Sequence, residues 1–101
     1  MFTWDPGKAA SNLLKHGVSF EEAISVFDDP HPMVVEDAAH SQIEQRWILI
    51  GYSSNRRALS IAYTVRRTNE IETIRIIAAR PASKRERETA ARQRNRFFRF
   101  S

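Results

Sequence analysis

The spacing of apolar residues changes near residue 33 of this chain, from a helical period to a period of two. Before that point Phe20, Ala23, Ile24 and Phe27 recur at the three- and four-residue intervals of a helix with one buried face. After it, short stretches alternate between apolar and polar residues as β-strands do. The sequence therefore predicts two helices first and a β-sheet afterwards.

The first helix is bounded by capping residues. Asp5 precedes Pro6, which has no N–H to lose at the first helical position, so a helix is predicted from residue 6 to about residue 15. Gly17 follows it and can adopt the left-handed conformation that ends many helices.

Two more helices begin at capping boxes, in which a serine is followed three residues later by a glutamate. Ser19 with Glu22 predicts a second helix that ends before Pro30. Ser83 with Glu86 predicts a third, rich in arginine and glutamate, that runs to about Asn95.

Four strands are predicted between the second and third helices, over residues 33–36, 46–52, 59–67 and 71–79. The turns between the last three strands are short, which favours an antiparallel meander. The predicted fold is α+β, with two N-terminal helices, a four-stranded antiparallel sheet and a C-terminal helix.

Length and composition indicate one soluble domain over residues 1–101. The chain has no cysteine, which excludes disulfides and thiolate sites. Its apolar stretches are far shorter than the roughly 20 residues of a membrane span, and its start lacks a signal-peptide pattern. We expect a cytoplasmic protein that does not contact a membrane.

Charge is divided unequally between the two halves of the chain. Residues 1–50 carry three basic and eight acidic side chains, whereas residues 51–101 carry thirteen basic and four acidic ones. All but one of those thirteen are arginine, whose planar guanidinium matches phosphate geometry. One surface is thus expected to bind a polyanion, although a solvated basic surface explains the charge equally well.

Acidic and basic residues are predicted to meet at one edge of the sheet. Arg46 begins one strand and Arg66 ends the next, so the two lie close together in a meander, with Glu44 nearby. The guanidiniums favour the charged form of the carboxyl, which makes it a hydrogen-bond acceptor or a base. An ordinary cross-strand salt-bridge cluster is the alternative.

His40 is the best acid–base candidate among the histidines, because it lies in a polar loop just before Glu44 and histidine titrates near neutrality. His16 is expected to cap a helix end and His31 to fill a turn. No histidine pair has metal-ligand spacing and no glycine-rich phosphate loop is present, so neither a metal nor a cofactor is expected.

Nearly the whole chain resembles the BrnT family of toxins. The resemblance is carried by Trp4-Asp5-Pro6, Lys8-Ala9, Asn12, the stretch Lys15-His16-Gly17-Val18-Ser19-Phe20-Glu21-Glu22-Ala23, Val26-Phe27, Asp29-Pro30, His40-Ser41, Glu44, Arg46, Ile50-Gly51, Arg57, Leu59, Arg66, residues 74–80, Ala82 and Glu86-Arg87. Two positions depart from the family pattern. Arg56 stands where the pattern has glycine, and Ala90 where it often has tyrosine.

The resemblance implies the toxin of a type II toxin–antitoxin pair, with a fold related to RelE-type ribonucleases. Such a toxin cleaves RNA and blocks translation. Its BrnA-type antitoxin binds and silences it, and operator DNA is bound through the antitoxin.

An RNA-cleaving site without a metal needs groups that orient the strand, move two protons and stabilise the phosphoryl charge. We expect Arg66 and Arg80 to contact the scissile phosphate, and Glu44 with Arg46 to abstract the proton. The candidate general acids are His40 and Lys15. The arginines expected to bind the RNA backbone without sequence preference are Arg56, Arg57, Arg67 and Arg75.

Two alternatives of other classes remain at this point. One is a non-catalytic module that binds RNA or DNA with the same basic face. The other is a degenerate toxin that only binds the antitoxin and co-represses the operon. Ala90, at the position of the tyrosine, is the feature that favours either alternative over an active enzyme.

Overall fold

The computed structural model describes the backbone of residues 1–99 and the side chains of residues 1–95. Its elements, in chain order, are β1 (Phe2–Thr3), α1 (Pro6–His16), α2 (Phe20–Ser25), β2 (Met33–Glu36), β3 (Arg46–Tyr52), β4 (Ala58–Thr68), β5 (Ile71–Pro81) and α3 (Lys84–Arg99). A 3₁₀ turn over Val26–Asp28 extends α2, and another covers Ala38–His40. None of the helices in this described part of the chain is long and apolar enough to cross a membrane.

Local capping signals set the helix ends where the sequence predicted them. The Asp5 carboxylate accepts a hydrogen bond from the Lys8 amide at 2.8 Å, and Gly17 ends α1 with φ of 68°. Ser19 Oγ accepts from the Glu22 amide at 3.0 Å, but the Glu22 carboxylate is bound by Arg57 instead of the Ser19 amide. Only half of that predicted capping box therefore forms.

The sheet has five strands in the order β1-β5-β4-β3-β2. The four strands from β2 to β5 form the predicted antiparallel meander. The prediction of a four-stranded, wholly antiparallel sheet is wrong, because β1 adds a fifth strand parallel to β5, with Phe2 opposite Ile74. Two residues are too few to show a period of two, so β1 has no periodic signal in the sequence.

The core lies on one face of the sheet, under α2 and its 3₁₀ extension. Alternate residues of β4 (Leu59, Ile61 and Tyr63) point into it and are buried. Aromatic edge-to-face contacts close the core, with the Phe27 ring 5.1 Å from both Phe2 and Tyr63.

The opposite face of the sheet is only partly covered. Its residues are the even-numbered positions of β3 and β4, which alternate with the core residues. Helix α3 crosses this face at one end, near Ile50 and Ala58. Its N-terminus has a complete capping box, in which Ser83 Oγ accepts from the Glu86 amide and Glu86 accepts from the Ser83 amide. The other end of the face carries the candidate site.

Candidate active site

Two arginines flank a buried threonine in a row across three adjacent strands. Arg46 on β3 and Arg75 on β5 both lie opposite Thr64 on β4, so all three side chains share the face away from the core. Neither guanidinium forms an ion pair among the described residues, and the buried Nε of Arg46 has no hydrogen-bond partner there. These two charges are therefore free to bind an anion.

Glu44 and Arg66 form an ion pair beside this row, as the meander predicted. Arg66 Nη2 donates to Glu44 Oε2 at 2.8 Å. That hydrogen bond, a second from Thr64, and the charges of Arg66 and Arg75 hold the pKa of the Glu44 carboxyl below its usual value. The side chains of Glu44 and Arg66 are 38% and 71% exposed, so solvent screens the pair and it adds little to stability. Because the pair lies beside the arginine row, Glu44 can hold the Arg66 guanidinium in position next to it.

His40 lies in the same cleft, and an aspartate orients its ring. The imidazole Nδ1 is 3.0 Å from Asp37 Oδ2, across one turn of the 3₁₀ segment. The side chain is 63% exposed and lines a depression of about 420 Å³ together with Glu44, Arg46, Thr64 and Ile77. Because Asp37 occupies Nδ1, Nε2 is the nitrogen that can exchange a proton with a bound molecule.

Lys15 lies outside this cleft. It lies in the last turn of α1 and lines a neighbouring depression whose wall includes Ile77, the residue that also lines the His40 cleft. The two depressions are thus adjacent through Ile77, and Lys15 does not belong to the arginine row.

Arg80 lies on the same face but at the far end of the sheet. It is opposite Ser60, whereas Arg66 is six residues further along β4, a separation of about 20 Å along the strand. Glu86 accepts from both its terminal nitrogens, at 2.7 and 2.9 Å, and this lowers the pKa of the Glu86 carboxyl. The structure thus does not bring Arg66 and Arg80 to one phosphate. Strand direction separates them, because one ends β4 and the other ends the antiparallel β5.

The other predicted RNA-binding arginines are scattered. Arg57 donates to Glu22 and to the Gly17 carbonyl, so its guanidinium ties α2 to the β3–β4 turn. Arg67 pairs with Glu72 at 2.9 Å across β4 and β5. Arg56 is in that same β3–β4 turn and is exposed. Of the four, only Arg75 lies beside the cleft, opposite Thr64.

Asp37 and Thr64 belong to the site but were not predicted from the sequence. The three-residue spacing between Asp37 and His40 is a usable signal, because it brings both side chains to one side of a helical turn. Thr64 had no comparable signal. Its place between Arg46 and Arg75 depends on the register of three strands, including a register shift at Ala62/Tyr63.

The fold and the cleft together define a small α+β protein with an arginine-rich, partly open sheet face. A family model described as "Ribonuclease toxin, BrnT, of type II toxin-antitoxin system" matches residues 4–86, so the chain belongs to the BrnT family. The fold is similar to that of the Brucella abortus ribonuclease toxin BrnT, solved at 1.1 Å resolution. The TM-score is 0.59 at 21% identity, covering 83% of this chain and 99% of that one. A search of curated proteins found no match.

Proposed function

We propose that this chain is an active endoribonuclease toxin that cleaves RNA without a metal ion, inhibits translation in the cytoplasm and is neutralised by an acidic BrnA-type antitoxin. One observation carries the proposal. The cleft combines an oriented histidine, His40, with Arg46, and Arg75 lies beside it in the row through Thr64; neither arginine has an ion-pair partner among the described residues. A basic surface that serves only solubility has no need of such an arrangement.

The reaction that suits these groups is transesterification within the RNA. The ribose 2′-oxygen attacks the adjacent phosphorus, a P–O2′ bond forms, and the bond from phosphorus to the 5′-oxygen of the next nucleotide breaks. The products are a 2′,3′-cyclic phosphate and a free 5′-hydroxyl. Arg46 and Arg75 bind the non-bridging oxygens, whose negative charge grows in the transition state.

His40 takes the proton from the 2′-hydroxyl in this proposal. Glu44 was the base expected from the sequence, but hydrogen bonds from Arg66 and Thr64 lower its pKa and make it a weaker proton acceptor. Its carboxylate instead holds the Arg66 guanidinium at the edge of the cleft. Asp37 keeps the His40 ring oriented and stabilises the imidazolium that forms.

Lys15 protonates the departing 5′-oxygen. Its ammonium group can donate a proton, and the depression that it lines shares Ile77 with the cleft. Arg66, beside the cleft, contacts a neighbouring phosphate of the strand, whereas Arg80, at the opposite end of the same face, is held by Glu86. Binding through several arginines predicts that affinity falls steeply as salt concentration rises.

The antitoxin is expected to lay an acidic segment over this arginine-bearing face, and operator DNA is bound through the antitoxin only. Opposite charges steer such a partner to the site and compete directly with RNA. Added antitoxin should therefore raise the apparent KM for RNA before it affects any other property.

The test is cleavage of a defined RNA by the purified protein in EDTA, comparing wild type with Arg46→Gln, His40→Gln and the control Arg67→Gln. We expect cleavage by wild type and the control, and losses of about 10²–10⁴-fold in the two site variants. Equal activity in all four proteins would refute the site. RNA binding without cleavage by a folded wild-type protein, on free and ribosome-bound RNA alike, would refute the enzyme and favour a binding module or a degenerate toxin.

A further inference from the structure

A second cavity, of about 200 Å³, lies on the same sheet face where α3 crosses it. Its walls come from β3, the start of β4 and one side of α3, and include Ile50, Tyr52, Ala58, Arg87, Ala90 and Arg94. None of these side chains takes part in the cleft that contains His40. The cavity is therefore a separate feature of the surface.

Small side chains open this cavity and a fixed arginine closes one side. Ala90 and Ala91 leave space between α3 and the sheet. Arg94 donates to Asp29 at 3.0 Å and to the His31 carbonyl, and its guanidinium lies 5.1 Å from the centre of the Tyr52 ring. Because Arg94 is held by these contacts, the wall it forms is preorganised for a ligand.

The lining chemistry suits a flat ring that carries a phosphate. Ile50, Ala58 and Ala90 supply an apolar floor, and the half-exposed Tyr52 supplies an aromatic ring of the kind on which nucleobases stack. Arg87 is at the rim and makes no ion pair with the described residues, so its charge is available to a phosphate.

The position of the cavity relates it to the cleft. Ile50 and Arg46 lie four residues apart on β3 and on the same face, a separation of about 13 Å. A short run of unpaired nucleotides spans that distance. The half-buried, uncharged side chains of Ile48 and Ala62 lie on the same face between the two positions.

We propose that this cavity is a subsite for one unpaired nucleobase of the RNA, flanking the phosphate bound at Arg46 and Arg75. The base enters between α3 and the sheet, and Arg87 contacts its phosphate. This inference rests on the proposed function, since it assigns the subsite to the same RNA strand. It makes Ala90 a determinant of which flanking base is accepted, because that side chain sets the depth of the cavity.

Binding of adenosine 5′-monophosphate to the ¹⁵N-labelled protein, followed by NMR, tests the subsite independently of cleavage. We expect shifts at the amides of Gly51, Ala58 and Ala90. Ala90→Leu should fill the cavity and weaken binding about 5- to 150-fold, the loss typical of one stacked base. Arg87→Gln should also weaken binding, whereas the matched control Arg85→Gln, on the exposed side of α3, should not.

Cleavage of oligonucleotides that each lack one base at a different position gives a second measure. Removing the flanking base should raise KM for wild type and change nothing for Ala90→Leu, while kcat stays the same. If the protein cleaves RNA but the amides at the cavity do not shift when the nucleotide is added, the subsite alone is overturned. The same holds if those NMR shifts persist in Ala90→Leu. Shifts at the cavity in a protein that cuts no RNA would uphold the subsite and overturn the ribonuclease.

Discussion

The side chain of Asn12 forms the two backbone hydrogen bonds with Ala79 that a neighbouring strand would otherwise form. Its side-chain amide donates to the Ala79 carbonyl at 2.7 Å and accepts from the Ala79 amide at 3.0 Å, and it also donates to the Val18 carbonyl at 2.9 Å. β1 pairs with β5 only at residues 74 and 75, so it does not reach Ala79. The Asn12 side chain supplies the hydrogen-bond partners of the Ala79 amide and carbonyl on that side. It also ties α1 to the sheet.

Replacing Asn12 should therefore cost more stability than its size suggests. Asn12→Ala leaves a buried amide and two buried carbonyls without partners, which we expect to lower the free energy of unfolding by about 2–4 kcal/mol. Urea unfolding followed by circular dichroism measures the change. Ser11→Ala, at an exposed position on the same helix, is the control and should change it by less than about 0.5 kcal/mol. Similar losses in both variants would contradict the bridging role.

A second long-range contact has a pH signature. The hydrogen bonds from Arg57, with help from Ser53, outweigh the effect of burial and lower the pKa of Glu22 to about 2, and its side chain is only 8% exposed. A carboxyl with a lowered pKa in the folded state stabilises the protein above its unfolded pKa of 4.5, and that stabilisation is lost as pH falls from there towards 2.

Glu22→Gln should thus lower the free energy of unfolding by about 1–3 kcal/mol at pH 7. The difference from wild type should shrink between pH 4.5 and 2, because protonation then weakens the wild-type contact as well. Urea unfolding at pH 7, 4 and 3 measures it. The neighbouring Glu21→Gln, at an exposed position, should show no such pH-dependent difference. A gap of constant size at all three pH values would argue against the ion pair.

The turn between β3 and β4 holds Arg56 in the left-handed region, with φ of 61°. A side chain in this region costs about 1–2 kcal/mol that glycine avoids. Replacing Arg56 with glycine would remove this cost, but part of the gain in stability is offset because glycine has more conformational freedom in the unfolded chain.

Arg56→Gly is expected to raise the free energy of unfolding by up to about 1 kcal/mol, a rise in Tm of roughly 4–8 °C for a domain of this size. Arg56→Ala separates conformation from charge, because it removes the guanidinium but keeps the Cβ. Thermal unfolding of the three proteins measures the effect. A gain of the same size in Arg56→Ala would attribute the stabilisation to charge instead.

Sequence predicted those features whose cause lies within a few residues. Gly17 and the Ser83–Glu86 capping box mark helix ends through contacts of one turn, and both are present in the structure. The strands β2 and β3 have their predicted bounds, because their apolar period is clear against polar loops. Local physics decides these elements.

The parts of the site that were not predicted depend on contacts between distant segments. Thr64 joins the arginine row only through the register of β3, β4 and β5. Arg57 carries the same charge as Arg75, yet a glutamate 35 residues away binds it and removes it from the basic surface. The direction of the strands predicts the separation of Arg66 from Arg80, because successive strands of a meander run in opposite directions and finish at opposite ends of the sheet. Residue type alone did not distinguish these arginines.

Glu44 and Arg66 should act on catalysis as one unit. If Glu44 serves to hold the Arg66 guanidinium at the cleft, Glu44→Gln and Arg66→Gln each lower kcat/KM for RNA, by about 10-fold or more, and the double variant loses little beyond the larger single effect. Stability should change little in all three, because both side chains are exposed. Single-turnover cleavage with each variant, completed as a double-mutant cycle, measures the coupling. Additive losses would show instead that the two residues act separately, and would return Glu44 to the role of base that its sequence position first suggested.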